Sequence, residues 1–190
     1  TDVIFDFGNV LIYWDPVAVL IPRYSQKTID EFLDNDISGF YDVNDLMDGG
    51  TSTDEAIAIM RRDRGDKWAD ILDYYIKNFR DSLTGIVPGA RVLVNDLKAA
   101  GIGVWGLSNW ESSLFHVAEE QCDILQQLDG KLVSGFVKLR KPHKEIYEAA
   151  LNQFGIKADG VVHRRQGHEH RRFECGRHPW RAFPGSGQAA

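Results

Sequence analysis

Cysteine is scarce: Cys122 and Cys175 are the only two in 190 residues. Two are too few for a disulfide framework, and the expectation is a reducing, cytoplasmic setting. No apolar run approaches the roughly 20 residues needed to span a bilayer, so no membrane partner is expected. A secretory leader is not expected either, because Asp2 and Asp6 interrupt the apolar start and no cleavage-site pattern follows. Internal repeats, heptads and collagen-like triplets are missing as well. With 43% hydrophobic and 26% charged residues the composition is that of a folded chain, of a length that suits one domain or one domain with a small insert.

Val3-Ile4-Phe5 is a short β-rich run that ends in the polar stretch Asp6-Phe7-Gly8-Asn9, and it predicts a buried strand with its polar residues at the carboxyl end. From about Asp15 to Gly85 the pattern is helical, with segments around Thr28–Leu33, Thr53–Arg62 and Trp68–Phe79 and no strand signal. Ser52-Thr53-Asp54-Glu55 has the residues of a helix start. Alternation then resumes. Ala90–Ala100 reads as a helix stopped by Gly101, Gly103–Leu107 as a buried strand, and Ser112–Gln121 as a helix. Leu132–Phe136 reads as a short strand or loop, Lys144–Phe154 as a helix stopped by Gly155, and Val161-Val162 as the start of a strand. The predicted class is α/β, a Rossmann-like parallel sheet with a small all-helical cap inserted after the first strand. Residues 1–14 and 86–162 form the core and residues 15–85 the cap.

Three polar stations follow predicted strands or loops at the edge where ligands bind in such folds. Asp6 offers a carboxylate nucleophile, Ser108-Asn109 a hydroxyl and an amide, and Lys141 a charge for phosphate. Taken singly, each has an ordinary reading: a loop-capping Asp, a Ser-Asn turn, a solvated lysine. Their order and placement at strand ends converge on one site.

The runs Phe5-Asp6-Phe7-Gly8-Asn9-Val10-Leu11, Gly106-Leu107-Ser108-Asn109 and Arg140-Lys141-Pro142-His143-Lys144 resemble the first three motifs of the haloacid dehalogenase-like (HAD) hydrolases. The match is nearest the small sugar-phosphatase branch and spans roughly residues 1–162. The resemblance implies that Asp6 is the nucleophile and a Mg²⁺ ligand, and that the Gly8 carbonyl is a second ligand. It also implies that Ser108 and Lys141 hold the phosphoryl group with Asn109 beside them. The implied activity is Mg²⁺-dependent hydrolysis of a small phosphorylated metabolite, a sugar phosphate, through an aspartyl phosphate. Trp14 and Trp110 are placed near the entrance under the cap.

Two departures from the pattern stand out. A second Asp, the general acid, is usual two residues after the nucleophile, and here that position is Gly8. The fourth motif, an acidic pair after an apolar strand, is replaced by His163-Arg164-Arg165-Gln166-Gly167-His168-Glu169-His170. Residues 163–190 contain six Arg, four of the six His, no Ile, Leu or Val, and a net charge of +4, against −10 for residues 1–162. His163, His168, His170, Cys175 and His178 are zinc-ligand types, but at no strong spacing. The arginines could contact nucleic acid, but the acidic body and the missing motif argue against such a partner. A frameshift explains the segment better. Read one base over, the codons from His163 permit Ile-Asp-Asp-Lys-Ala-Met-Asn-Ile, which restores the acidic pair in its place. Two other functions remain in play: a metal-independent 2-haloacid dehalogenase, which Gly8 allows, and a non-catalytic binding or regulatory domain, which the tail as written would favour.

Overall fold

The computed structural model describes residues 1–158 together with the strand segments 161–164 and 181–182. The chain opens with β1 (Asp2–Phe5), turns sharply, and continues as β2 (Ile12–Trp14). Six helices follow: α1 (Pro16–Leu20), α2 (Gln26–Leu33), α3 (Asn35–Ser38), α4 (Phe40–Asp48), α5 (Thr53–Arg64) and α6 (Asp66–Lys77). A 3₁₀ turn (Phe79–Ser82) then leads into β3 (Leu83–Ile86). Next come α7 (Ala90–Ala99), β4 (Gly103–Ser108), α8 (Ser112–Gln121), β5 (Gly130–Val133), α9 (Ser134–Val137) and α10 (Lys144–Phe154). The last strands are β6 (Val161–Arg164) and β7 (Arg181–Ala182).

The main sheet has the order β5-β4-β1-β6-β7. β5, β4, β1 and β6 are mutually parallel, and β7 runs antiparallel to β6. The expected parallel α/β sheet is therefore present, with β1 at its centre. From β1 the chain moves outward through β4 to β5 and then returns to β6 on the other side. That reversal opens a crevice at the carboxyl ends of the strands, where Asp6 sits.

Strand alternation sends successive side chains to opposite faces, and both faces are covered. Val3, Phe5 and Val104 join one cluster with Phe7, Leu11 and the helices of the insert. Ile4, Leu107 and Leu132 join the other, under Ile146, Tyr147, Ala150 and Phe154 of α10. Gly106 is required where it stands, because a Cβ there would run into the buried ring of Phe7.

Local chemistry explains the insert's helices. Asp15 caps α1, accepting from Val17 N–H, and Pro16 occupies its first turn. Ser52 caps α5 by accepting from Glu55 N–H, with Asp54 and Glu55 early and Arg61, Arg62 and Arg64 late, complementing the helix dipole. Three helices, α1, α3 and α4, lie where no helix was expected. The strand β3 also enters the last three positions assigned to the insert and pairs antiparallel with β2, Ile12 opposite Ile86 and Trp14 opposite Leu83. Downstream, where a short strand or loop was expected at 132–136, β5 ends at Val133 and Ser134–Val137 form a helical turn. Among the described residues no helix is long and apolar enough to cross a membrane.

β6 starts at Val161 as expected, pairing Ile4 with His163 and Phe5 with Arg164. Of the two positions of the reframed acidic pair, 164 ends β6 and 165 lies outside the described residues, as does the zinc reading of His168, His170, Cys175 and His178.

Candidate active site

Asp6 immediately follows β1. The turn behind it is tight, with Val10, Leu11 and Ile12 N–H all donating to the Phe7 carbonyl. Asn9 takes a left-handed conformation, φ 55°, that Asn tolerates better than most side chains. Its Oδ1 accepts from Trp14 N–H at 3.1 Å. This loop fixes the direction of the Asp6 carboxylate.

Three donors converge on that carboxylate. Oδ1 accepts from Phe7 N–H at 2.8 Å and from Ser108 Oγ at 2.9 Å. Oδ2 lies 2.6 Å from Lys141 Nζ. Ser108 ends β4, and Lys141 follows the loop after α9, so adjacent strand ends and loops bring together the three residues singled out from the sequence. Lys141 is 9% exposed, and its ammonium also donates to the Leu107 carbonyl at 3.0 Å. Burial by itself would raise the Asp6 pKa. The charge and hydrogen bond of Lys141, with Ser108 and Phe7 N–H, outweigh burial and hold it below the usual carboxylate range. Asp6 is therefore anionic at neutral pH, as a nucleophile must be.

Asn109, which the resemblance puts beside the phosphoryl group, lines the same cavity and is bonded to the loop that carries Lys141. Its amide clasps the backbone of Lys141, accepting from Lys141 N–H at 2.8 Å and donating to the Lys141 carbonyl at 3.0 Å. It orients the lysine rather than offering both amide groups to a ligand. Gly8 lies beside Asp6 on the cavity wall. Among the described residues its carbonyl accepts no hydrogen bond. That oxygen and the Asp6 carboxylate are hard donors of the kind Mg²⁺ prefers. No cluster of three or more His, Cys, Asp or Glu suited to a metal occurs among the described residues.

These groups open into a cavity of about 590 Å³ between the sheet edge and the insert. Trp14, Phe79, Trp110 and Leu114 give it an apolar wall, and both expected tryptophans are there. Acids line it as well: α4 contributes Tyr41, Asp42, Asn44, Asp45 and Asp48, and Glu111 lies at the start of α8. None of these was anticipated. The apolar spacing Phe40, Val43, Met47 between Gly39 and Gly49 was the available signal for α4. Of these acids Asp48 is the most perturbed, its pKa pushed to about 8 by burial and by Asp45 and Asp6, against the weaker pull of Lys141 and Arg140.

A carboxylate at a strand end, flanked by a hydroxyl and a buried lysine and roofed by helices on a parallel sheet, is the site of an α/β hydrolase. The haloacid dehalogenase-like hydrolase family model matches residues 3–163, and the chain belongs to that family. It is similar to the sesquiterpene phosphatase AstK of Aspergillus oryzae, 26% identical over 161 residues that cover 84% of this chain and 76% of the relative. In fold it is similar to a HAD family enzyme of Bacteroides thetaiotaomicron solved as a magnesium complex. That likeness has a TM-score of 0.61 at 17% identity, covering 85% of this chain and 81% of the other. A crystal structure of a dehalogenase gives a TM-score of 0.57 at 21% identity, covering 84% and 74%.

Proposed function

We propose that this hydrolase is a phosphatase of a small phosphorylated metabolite, a sugar phosphate, acting through an aspartyl phosphate. The observation that carries the reading is the convergence of Ser108 Oγ and Lys141 Nζ on the Asp6 carboxylate. Asp6 attacks phosphorus in line, while Lys141 and Ser108 receive the phosphoryl oxygens as charge shifts onto them. Asn109 keeps the lysine in place, and the helical insert limits water at the reacting centre. Asp6 and the Gly8 carbonyl would hold Mg²⁺, which when bound neutralises phosphoryl charge. A phosphatase activity is also what the Aspergillus oryzae relative's name states for that protein.

The choice of a sugar rests on the side chains that line the cavity. Trp14 and Trp110 offer flat apolar faces for a ring, and Asp42, Asn44 and Asp45 offer acceptors for hydroxyls.

The test is hydrolysis of a panel of hexose and pentose phosphates with and without chelator. Turnover that stops in EDTA and in Asp6→Asn, with the fold kept, supports the reading. Halide release from 2-haloacids that survives EDTA, with no phosphate release, replaces it.

A further inference from the structure

A phosphatase needs a proton for the oxygen that departs, and the position two residues after the nucleophile, Gly8, has no side chain to give one. Space for one exists: a Cβ built on Gly8 meets nothing within 4 Å, and its backbone is outside the left-handed region. We propose that Asp48, carried by the insert at the end of α4, is the acid that protonates the leaving-group oxygen across the cavity. This inference rests on the phosphatase reading.

The wall contains other acids, and their contacts remove them. Glu111 is occupied as the cap of α8, bonded to Leu114 N–H and the hydroxyls of Ser112 and Ser113. Asp45 is paired with Arg140, which also donates to the Asp45 carbonyl. Asp42 is exposed. Asp48 differs. Asn44 Nδ2, at 3.4 Å, is the partner of its Oδ2, and its other carboxyl oxygen has none among the described residues. Among the described residues the two cations that pull on it are already committed, Lys141 to Asp6 and Arg140 to Asp45. An uncompensated carboxyl beside two carboxylates keeps its proton, in line with the upward shift noted above.

Its placement is fixed from the catalytic side. Ser134 Oγ donates to the Asp48 carbonyl at 2.5 Å and accepts from Trp110 N–H at 2.9 Å. Asp48 is thus two hydrogen bonds from the segment that follows Ser108-Asn109. Arg140, the residue before Lys141, holds the same end of α4 by donating to the Asp45 carbonyl.

The chemistry balances. As Asp6 forms its bond to phosphorus and the ester P–O bond breaks, the Asp48 proton passes to the departing oxygen, releasing the alcohol and leaving Asp48 as a carboxylate. Water then attacks the aspartyl phosphate, its proton goes to Asp48, and the bond to Asp6 breaks to give inorganic phosphate and the starting enzyme.

The experiment compares the full chain, Asp48→Asn, Gly8→Asp and the double variant on a hexose phosphate and on p-nitrophenyl phosphate, whose phenolate leaves without a proton. Asp48→Asn is expected to lower kcat at least about 100-fold on the sugar ester and less than about tenfold on the aryl ester. Adding Gly8→Asp is expected to recover at least about tenfold on the sugar ester, since a carboxyl returns to the vacant position. Equal losses on both esters, or full activity in Asp48→Asn, overturn the inference and leave the phosphatase reading intact. A wild-type chain inert on both esters, or Asp6→Asn retaining activity, overturns that reading and this one together.

Discussion

Asn109 and Lys141 hold each other reciprocally, the amide of one closing on both the N–H and the carbonyl of the other at 2.8 and 3.0 Å. The buried ammonium that meets Asp6 is thereby aimed by a neighbour that need not touch substrate. Asn109→Ala removes two hydrogen bonds of about 1 kcal/mol each. Turnover is expected to fall roughly 30-fold by the conversion of about 1.4 kcal/mol per tenfold. Steady-state kinetics beside a thermal melt check this; unchanged kcat would mean the lysine is held without it.

Lys141→Ala should cost more, because a charge-assisted contact of about 1.5–3 kcal/mol goes with it. It should also move the acid limb of the kcat/KM profile to higher pH. Burial raises the Asp6 pKa and Lys141 is the largest influence opposing it, so the carboxyl stays protonated longer without the ammonium. Lys141→Arg is expected to rescue poorly, since a planar fork does not replace a compact ammonium between the Leu107 carbonyl and Asp6. Identical profiles for all three proteins would reduce Lys141 to a structural residue.

Asp48 gives a stability signature that needs no substrate. Its carboxyl moves from an ordinary 3.8 to about 8 on folding, through burial first, then Asp45 and Asp6, with Lys141 and Arg140 opposing. A raised pKa gives stability that is complete below pH 4 and is lost as pH rises toward 8, with a slope of at most about 1.4 kcal/mol per unit. Asp6, with its depressed pKa, acts the other way and below that window. Urea midpoints in EDTA at pH 5 and pH 8.5 should therefore fall with pH in the wild type and much less in Asp48→Asn. Parallel declines would show that Asp48 ionises normally.

The reading frame after Val162 has a metal-binding consequence. A chain that continues with the decoded Ile-Asp-Asp sequence supplies oxygen ligands next to Asp6 and the Gly8 carbonyl, whereas the sequence as written supplies arginine, which cannot coordinate. Calorimetry with Mg²⁺ should give clearly tighter binding, and assays faster turnover, for the reframed chain. Equal affinities would dismiss the frameshift, and stoichiometric zinc lost on changing His168, His170 and Cys175 would reinstate the zinc site.

Asp6, Ser108 and Lys141 were legible in the sequence because each follows an apolar strand or a recognisable loop, and strand ends meet at one edge of a parallel sheet by topology alone. Helix α5 was legible from its Ser52 cap and α10 from its stop at Gly155, local signals that sit in the sequence. Asp48 was not. Its approach to Asp6 depends on Ser134 and Arg140 anchoring α4, contacts between segments far apart in the chain. The part Asn109 plays was hidden likewise, since its partner is the backbone of a distant loop.

The pairing of Trp14 with Leu83 has an architectural consequence. The separate two-stranded sheet of β2 and β3 makes entry to the insert and exit from it one doorway, so the excursion between is a closed detour whose length does not enter the spacing of Asp6 and Ser108. Loops between the helices of that detour can be gained or lost while Asp6, Ser108 and Lys141 keep their spacing; α4 is the exception, because Ser134 and Arg140 tie it back to the strand ends, so Asp48 cannot drift without them.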